Sequence, residues 1–285
     1  MVWGSTYAGI AVTGRGFPPL SGMGIRFLIA AGLMAAFLKL RGKHVLRISK
    51  PEFFAVSQLG ILLLVGGIGA VSAAEQHIPT GYVSLLICGT PLYLAVYRTI
   101  AGDRPTSRSL FGVLVGLVGM FVLVLMGSEP AKDVSADSVF FWSVVVVLGS
   151  ISWSFGSFRA KYMTLPKDPL VLTMWQMLMG GLTLTILGFG SGEQLNLQNV
   201  EAESWIALVY IIIFGSIIGY TSYIWLLENA PISLVATYSY VNPLVAVLIG
   251  VGFLGESLGL NMIVGGAIVL AGVVLTITAE KPKAP

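Results

Sequence analysis

Residues 1–10 read MVWGSTYAGI and residues 150–159 read SISWSFGSFR. Trp3-Gly4-Ser5 in the first apolar stretch thus returns as Trp153-Ser154-Phe155-Gly156-Ser157 in a later one. Outward from this pair the two halves of the chain align at an offset of 150 to 153 residues. Pro19 meets Pro169, Arg26 meets Gln176, Glu75 meets Glu228 and Pro79 meets Pro231. Pro91-Leu92 meets Pro243-Leu244, Gly102-Asp103 meets Gly255-Glu256, and Gly112 and Gly119 meet Gly265 and Gly272. An ordered series that includes Trp and Pro does not arise easily by chance.

The solvent around these segments follows from composition. The chain has 285 residues, of which 56% are hydrophobic and 10% charged. Soluble domains carry about 25% charged residues, so this chain lacks the charge to cover a water-facing surface. It reads as an all-α polytopic membrane protein, its spans set by the roughly 20 apolar residues that cross a bilayer. Ten spans are expected: 1–13, 21–40, 53–74, 79–98, 108–127, 138–159, 169–189, 204–227, 231–253 and 258–278. Span 1 makes a helix of only about 20 Å against a hydrocarbon core of about 30 Å. Either a turn or two lies upstream, which is the favoured expectation, or the helix is short by design.

Basic residues set the orientation. With the N-terminus inside, the cytoplasmic loops hold Lys39, Arg41, Lys43, Arg47, Lys50, Arg98, Arg104, Arg108, Arg159, Lys161, Lys167, Lys281 and Lys283. The outer loops then hold Arg15, Lys132 and the acidic group Glu193, Glu201 and Glu203. Both termini are therefore expected in the cytoplasm. The sequence pI near 9.0 belongs to these loops rather than to nucleic-acid binding. Each half, 1–127 and 138–278, contains five spans. Five is odd, so the second half enters from the opposite side, giving an inverted-topology repeat as in many secondary transporters.

Several residues stand out as candidates. Pro91 and Pro243 fall near the middle of spans 4 and 9, where proline frees the carbonyl four residues earlier. Thr90 and Asn242 precede them, and Tyr238 shares a face with Asn242. Spans 4 and 9 are expected to line a substrate cavity, hinged at these prolines; the alternative is ordinary packing kinks. Tyr7, Trp153, Ser157, Trp175 and Gln176 are further substrate-binding candidates, with interfacial anchoring the competing role for the aromatics. Arg26 is the basic residue well inside a span, facing a substrate carboxylate or a helix C-terminus, or snorkelling outward. Glu75 and Glu228 are gating candidates at the outer and inner ends, or simple helix ends. All thirteen acidic residues fall in loops or near span ends, so no proton relay through a buried carboxylate is expected. Gly112/Gly116 and Gly215/Gly219 have small-xxx-small spacing, suited to contact inside one subunit or to a homodimer.

Other classes find little support. The chain has one cysteine, Cys88, and two histidines, His44 and His77, too few for a metal or cluster site. It holds no HExxH, GxSxG or GxxxxGK[ST] pattern, so a membrane enzyme is disfavoured, and no cofactor is expected. A fixed channel needs rings of carbonyls or charges, usually from several subunits.

Taken together, WGSTY at 3–7, RFL at 26–28, ENAPISLVATYSYVNPLVAVLIGVGFLGESLG at 228–259 and GGAIVLAGVVL at 265–275 resemble a two-repeat EamA transporter of the drug/metabolite transporter superfamily. The second half, with FGSIIGYTSYIWLL at 214–227, looks closest to the YedA-type branch. The first half departs at Gly102-Asp103-Arg104-Pro105, so Asp103 and Glu256 are not given one role. Family members carry a few residues ahead of the WGS motif, which implies the same upstream turns as the length of span 1. The resemblance implies a ten-helix carrier of the bacterial inner membrane, often an exporter of amino acids, other metabolites or drugs. With the aromatics and the single buried cation, the expectation is secondary-active or facilitative export of small neutral or zwitterionic metabolites, or drug-like molecules, by alternating access. The rival cargo is a lipid or hydrophobic compound moved by a flippase.

Overall fold

A computed structural model describes residues 2–42, 46–102, 106–126, 135–236, 238–257 and 259–279. The described helices are α1 Val2–Thr13, α2 Pro19–Leu40, α3 Lys50–Ala74, α4 Thr80–Ile100, α5 Ser107–Met126, α6 Ala136–Ala160, α7 Pro169–Gly190, α8 Ala202–Asn229, α9 (in two pieces, Ile232–Val235 and Tyr238–Phe253) and α10 Leu260–Thr278. Among the described residues there is no strand. Seven helices (α2, α3, α4, α6, α7, α8 and α10) are long and apolar enough to cross a membrane. Shorter apolar helices span Ser107–Leu123 and Val241–Phe253. Asp103, Arg104, Lys43, Lys132, Lys281 and Lys283 lie outside the described residues, and so does His44.

Local chemistry explains where helices begin and end. Proline fits the first turn, where its missing N–H has no partner to lose, and α2 and α7 begin at Pro19 and Pro169. Ser49 and Glu52 form a capping box at the start of α3, satisfying two orphan donors reciprocally. Gly42, Gly102, Gly192 and Gly255 have φ of +70°, +87°, +90° and +69°. Each lies just beyond a helix C-terminus, where a left-handed residue lets the chain leave the helix. Gly42 and Gly192, like Gly102 and Gly255, are partners in the sequence repeat.

Packing is arranged in matching pairs. α2 lies along α7 and α5 along α10; α1 packs on α8 and α9, as α6 packs on α3 and α4. The α5–α10 contact is backbone on backbone, since a Cβ on Gly112 would sit 2.5 Å from the Thr276 nitrogen. Gly215 and Gly219 face Arg26 and Trp3. Both glycine pairs thus serve contacts within the chain.

Two helices loosen in their middles. Gly60–Gly69 of α3 and Ile211–Tyr220 of α8 are π-helical, a widened turn that recurs at functional sites. The two prolines behave differently. α4 breaks at Cys88-Gly89, and Pro91 lies in the first turn of the restarted segment Thr90–Ile100. Pro243 lies inside the helical run of α9. The two prolines, expected as hinges or packing kinks, thus sit differently: one beside a helix break, one embedded in a helix. At the break, the Thr90 hydroxyl donates to the Ile87 carbonyl at 2.8 Å, the carbonyl that Pro91 leaves without its helical partner.

Candidate functional site

The widened middles of α3 and α8 and the break in α4 surround one constricted cavity of about 60 Å³, below the usual range for small-molecule sites. α1 contributes Trp3, Thr6, Tyr7 and Ile10, and α2 contributes Arg26 and Phe27. α3 adds Leu64, Gly67, Ile68 and Val71, α4 adds Ile87 and Thr90, and α6 adds Gly149, Ser150 and Trp153. Gly215, Tyr220 and Tyr238 complete the wall. Of the residues expected from sequence, Tyr7, Arg26, Thr90, Trp153 and Tyr238 meet here.

The cavity is aromatic on one side. The Trp3 ring lies 5.7 Å from Trp153, 5.0 Å from Tyr223 and 5.2 Å from Tyr238, centroid to centroid. Trp3 and Trp153, whose recurrence marks the repeat, thus stand edge to face. Glycines make room for them. A Cβ on Gly67 would meet the Trp153 ring at 2.7 Å, and one on Gly219 would meet Trp3 Nε1 at 2.6 Å.

Arg26 supplies the charge. It is 3% exposed. Its Nε donates to Ser216 Oγ at 2.8 Å and its Nη1 to the Met23 sulfur at 3.5 Å. The guanidinium stands 4.8 Å from the Phe27 ring centroid. Ser216 lies in the π-helical turn of α8, where it reaches the Ile211 carbonyl five residues back. Arg26 therefore does not snorkel; it is held in the cavity wall by neutral groups. A guanidinium has five donors in a fixed fork, and bidentate capture of a carboxylate is its strongest use.

A polar layer separates this cavity from a second space. That space, about 480 Å³, is a vestibule lined by Arg98, Ser157, Lys161, Gln176, Leu227 and Glu228, among others. The layer consists of two sets of hydrogen bonds. Tyr220 donates to Gln176 Oε1 at 2.8 Å. Trp153 Nε1 donates to the Tyr223 hydroxyl at 3.0 Å, and that hydroxyl shares a 2.6 Å bond with Ser157. Ser157 and Gln176 thus belong to the layer and the vestibule rather than to the cavity wall.

The other expected residues lie elsewhere. Trp175 faces away from the cavity, donating to the Leu46 carbonyl at 3.0 Å and packing on Phe53. Asn242 is buried, and its carbonyl lies against Gly4, where a Cβ would approach it to 3.0 Å. Pro91 lines a small crevice beside Arg98 and Ile277. Glu228 stands exposed in the vestibule, whereas both carboxylate oxygens of its sequence partner Glu75 are buried. Glu75 lies at a span end, where the acidic residues are expected, but its carboxylate is withdrawn from water there. Sequence reasoning missed Thr6, Ser150, Ser216, Tyr220 and Tyr223. The Tyr220 and Tyr223 spacing within FGSIIGYTSYIWLL was the available signal, because residues three apart share a helix face.

At the end opposite the vestibule, carboxylates hold helix starts, where free N–H groups favour negative charge. Glu193 accepts from the Leu20 and Ser21 nitrogens of α2 at 3.0 and 2.7 Å. Glu256 accepts from the Thr80 nitrogen, the Thr80 hydroxyl and the Gly81 nitrogen of α4 at 2.7, 2.6 and 3.0 Å.

Apolar helices around a buried cationic and aromatic cavity define a multi-pass membrane protein. The chain belongs to the EamA-like transporter family, which matches residues 1–125 and 140–278. It is 35% identical over 279 residues to a protein of Escherichia coli K12 named "Uncharacterized inner membrane transporter YedA", covering 97% of this chain and 88% of that one. It is 25% identical to a Bacillus subtilis protein named "Uncharacterized transporter YvbV", over 93% of this chain and 85% of that one. A crystal structure 20% identical to the chain shares its fold, with a TM-score of 0.68 and coverage of 96% of this chain and 92% of that one. The chain is accordingly a membrane transporter of the YedA-type branch and not an enzyme.

Proposed function

We propose that the protein exports small zwitterionic metabolites, amino acids foremost, across a bacterial-type inner membrane by alternating access. The observation that carries this reading is Arg26, buried in the wall of an aromatic cavity with hydrogen bonds to Ser216 and Met23. A substrate carboxylate would offer the guanidinium the charged acceptor that Ser216 and Met23 do not. Trp3, Trp153 and Tyr238 would cover an apolar body. A single cation suits one carboxylate better than a polyphosphate.

Ten spans in two inverted repeats, 1–127 and 138–278, fit the two family matches and the matching helix pairs. With both termini in the cytoplasm, the vestibule bearing Arg98 and Lys161 faces inward and Glu193 and Glu256 face outward. The contrast between Glu228, exposed in the vestibule, and buried Glu75 supports a state whose outer end is shut and whose inner end is open as far as the Tyr220–Gln176 layer. A small-molecule substrate and the bilayer are the partners this reading requires; nucleic acid has no place in it.

Counterflow in proteoliposomes tests the reading. Saturable exchange of labelled amino acids, abolished by Arg26→Gln, is the expected result. Movement of fluorescent phospholipid or of hydrophobic cations, unchanged by Arg26→Gln and without amino-acid counterflow, would overturn it in favour of a flippase.

A further inference from the structure

Glu75 directly follows Ala74, the last residue of α3. One turn earlier, Val71 lines the cavity. Although Glu75 lies beyond the span, its two carboxylate oxygens are buried and, among the described residues, have no hydrogen-bond partner. The helix starts at this end give their donors to Glu193 and Glu256 instead. Burial holds the Glu75 carboxyl well above the usual carboxylate range, and the charge of Glu256 pushes it in the same direction.

The titratable and charged neighbours are few. From α1, Tyr7 lies within electrostatic reach of Glu75. From α2 comes Arg26, engaged with Ser216 deeper in the cavity. α4 contributes Tyr82, which donates to the Leu123 carbonyl, and Cys88, which is near Tyr7. α6 contributes Asp137, exposed in its first turn. His77 stacks on Trp142 at 4.5 Å, and Arg15 is exposed in the α1–α2 turn. Among the described residues, no cation is bonded to Glu75.

We infer that Glu75 is a proton-binding site of the outer gate: the closed gate holds the protonated carboxyl, buried within electrostatic reach of Tyr7 and Glu256, and opening hydrates it so that its proton leaves to the outer solution. Closing takes the proton back from the same side, so the site tunes the gate without itself carrying protons across the membrane. Once ionised, Glu75 repels Glu256, the carboxylate that clasps the start of α4. A rise in outer pH therefore favours the open outer gate. One linked proton changes the gate equilibrium by at most about tenfold per pH unit. The inference rests on the alternating-access reading above.

The test uses the full chain in a Cys88→Ala background. Ile10→Cys, in the cavity, reports access from outside; Leu227→Cys, in the vestibule, reports access from inside. Each is labelled with a membrane-impermeant maleimide in vesicles of known sidedness, with rates divided by that of a free thiol at the same pH. Raising the outer pH is expected to speed labelling at position 10, up to about tenfold per unit, and to slow it at position 227. Glu75→Gln should leave labelling at position 10 slow and independent of pH, while His77→Asn keeps the dependence. Glu75→Asp should shift its midpoint, a change that misfolding would not produce. If the two sites trade accessibility but Glu75→Gln keeps the pH dependence, the Glu75 site is disproved alone. If they never trade in any variant, alternating access falls and the proton gate falls with it.

Discussion

The Tyr220 hydroxyl donates to Gln176 Oε1 at 2.8 Å, and this bond crosses the layer between the cavity and the vestibule. It joins α8 to α7 at the point where the α8 helix narrows from π-helical to α-helical turns. Tyr220→Phe keeps the ring and removes the bond, a loss of about 1 kcal/mol. The expected outcome is a several-fold faster reaction of an Ile68→Cys thiol with reagent from the vestibule side. An unchanged rate would show that the layer is held by packing alone.

Arg26 sets a second prediction. Arg26→Lys keeps the charge but loses the planar fork. Hydrogen bonds to charged groups are worth about 1.5–3 kcal/mol. The half-saturation concentration for a carboxylate substrate should therefore rise about ten- to a hundredfold, while transport of a substrate amide lacking the carboxylate should be little affected. Concentration-dependent counterflow of the two solutes reads both effects.

Gly215 permits a gentler test of the same group. A Cβ there would lie 2.6 Å from Arg26 Nη2, the end of a flexible side chain, and 3.1 Å from Thr6 Cγ2. Gly215→Ala should displace the guanidinium without unfolding the protein. Affinity should fall while the thermal midpoint in detergent stays close to that of the parent chain.

Gly272 should behave differently. A Cβ there would press on the backbone nitrogen and Cα of Gly116, which cannot give way as a side chain does. Overpacking of this kind costs about 1–3 kcal/mol. Gly272→Ala should lower the thermal midpoint and leave the half-saturation concentration of the surviving protein nearly unchanged.

The break in α4 yields a prediction of direction. Thr90→Val retains the shape and removes the bond to the Ile87 carbonyl, leaving a buried acceptor short of its donor. Stability should fall by about 1–3 kcal/mol. Thr90→Ser, which keeps the hydroxyl, should restore most of it; a similar loss in both variants would assign the effect to the methyl group.

Much of this protein is local in origin and was legible in its residues. In lipid, every backbone N–H and C=O must be satisfied within its own helix, so spans are written as continuous apolar stretches ended by Pro, Gly and charge. Pro19, Pro169, Gly42 and Gly192 mark those ends in sequence and in space. The cavity residues Tyr7, Arg26, Thr90, Trp153 and Tyr238 were legible for a related reason, since polar and aromatic groups inside apolar stretches need partners. Other features depend on how helices far apart in sequence meet. Trp175 and Trp153 look alike in sequence, yet one bonds the Leu46 carbonyl and the other bonds Tyr223. Glu75 and Glu228 are equivalent by repeat, yet one carboxylate is dry and the other lies in an open vestibule. Repeated sequence assigns the two halves the same local chemistry; a single packed conformation places that chemistry in two environments, because the helices meeting at each end of the molecule are different ones.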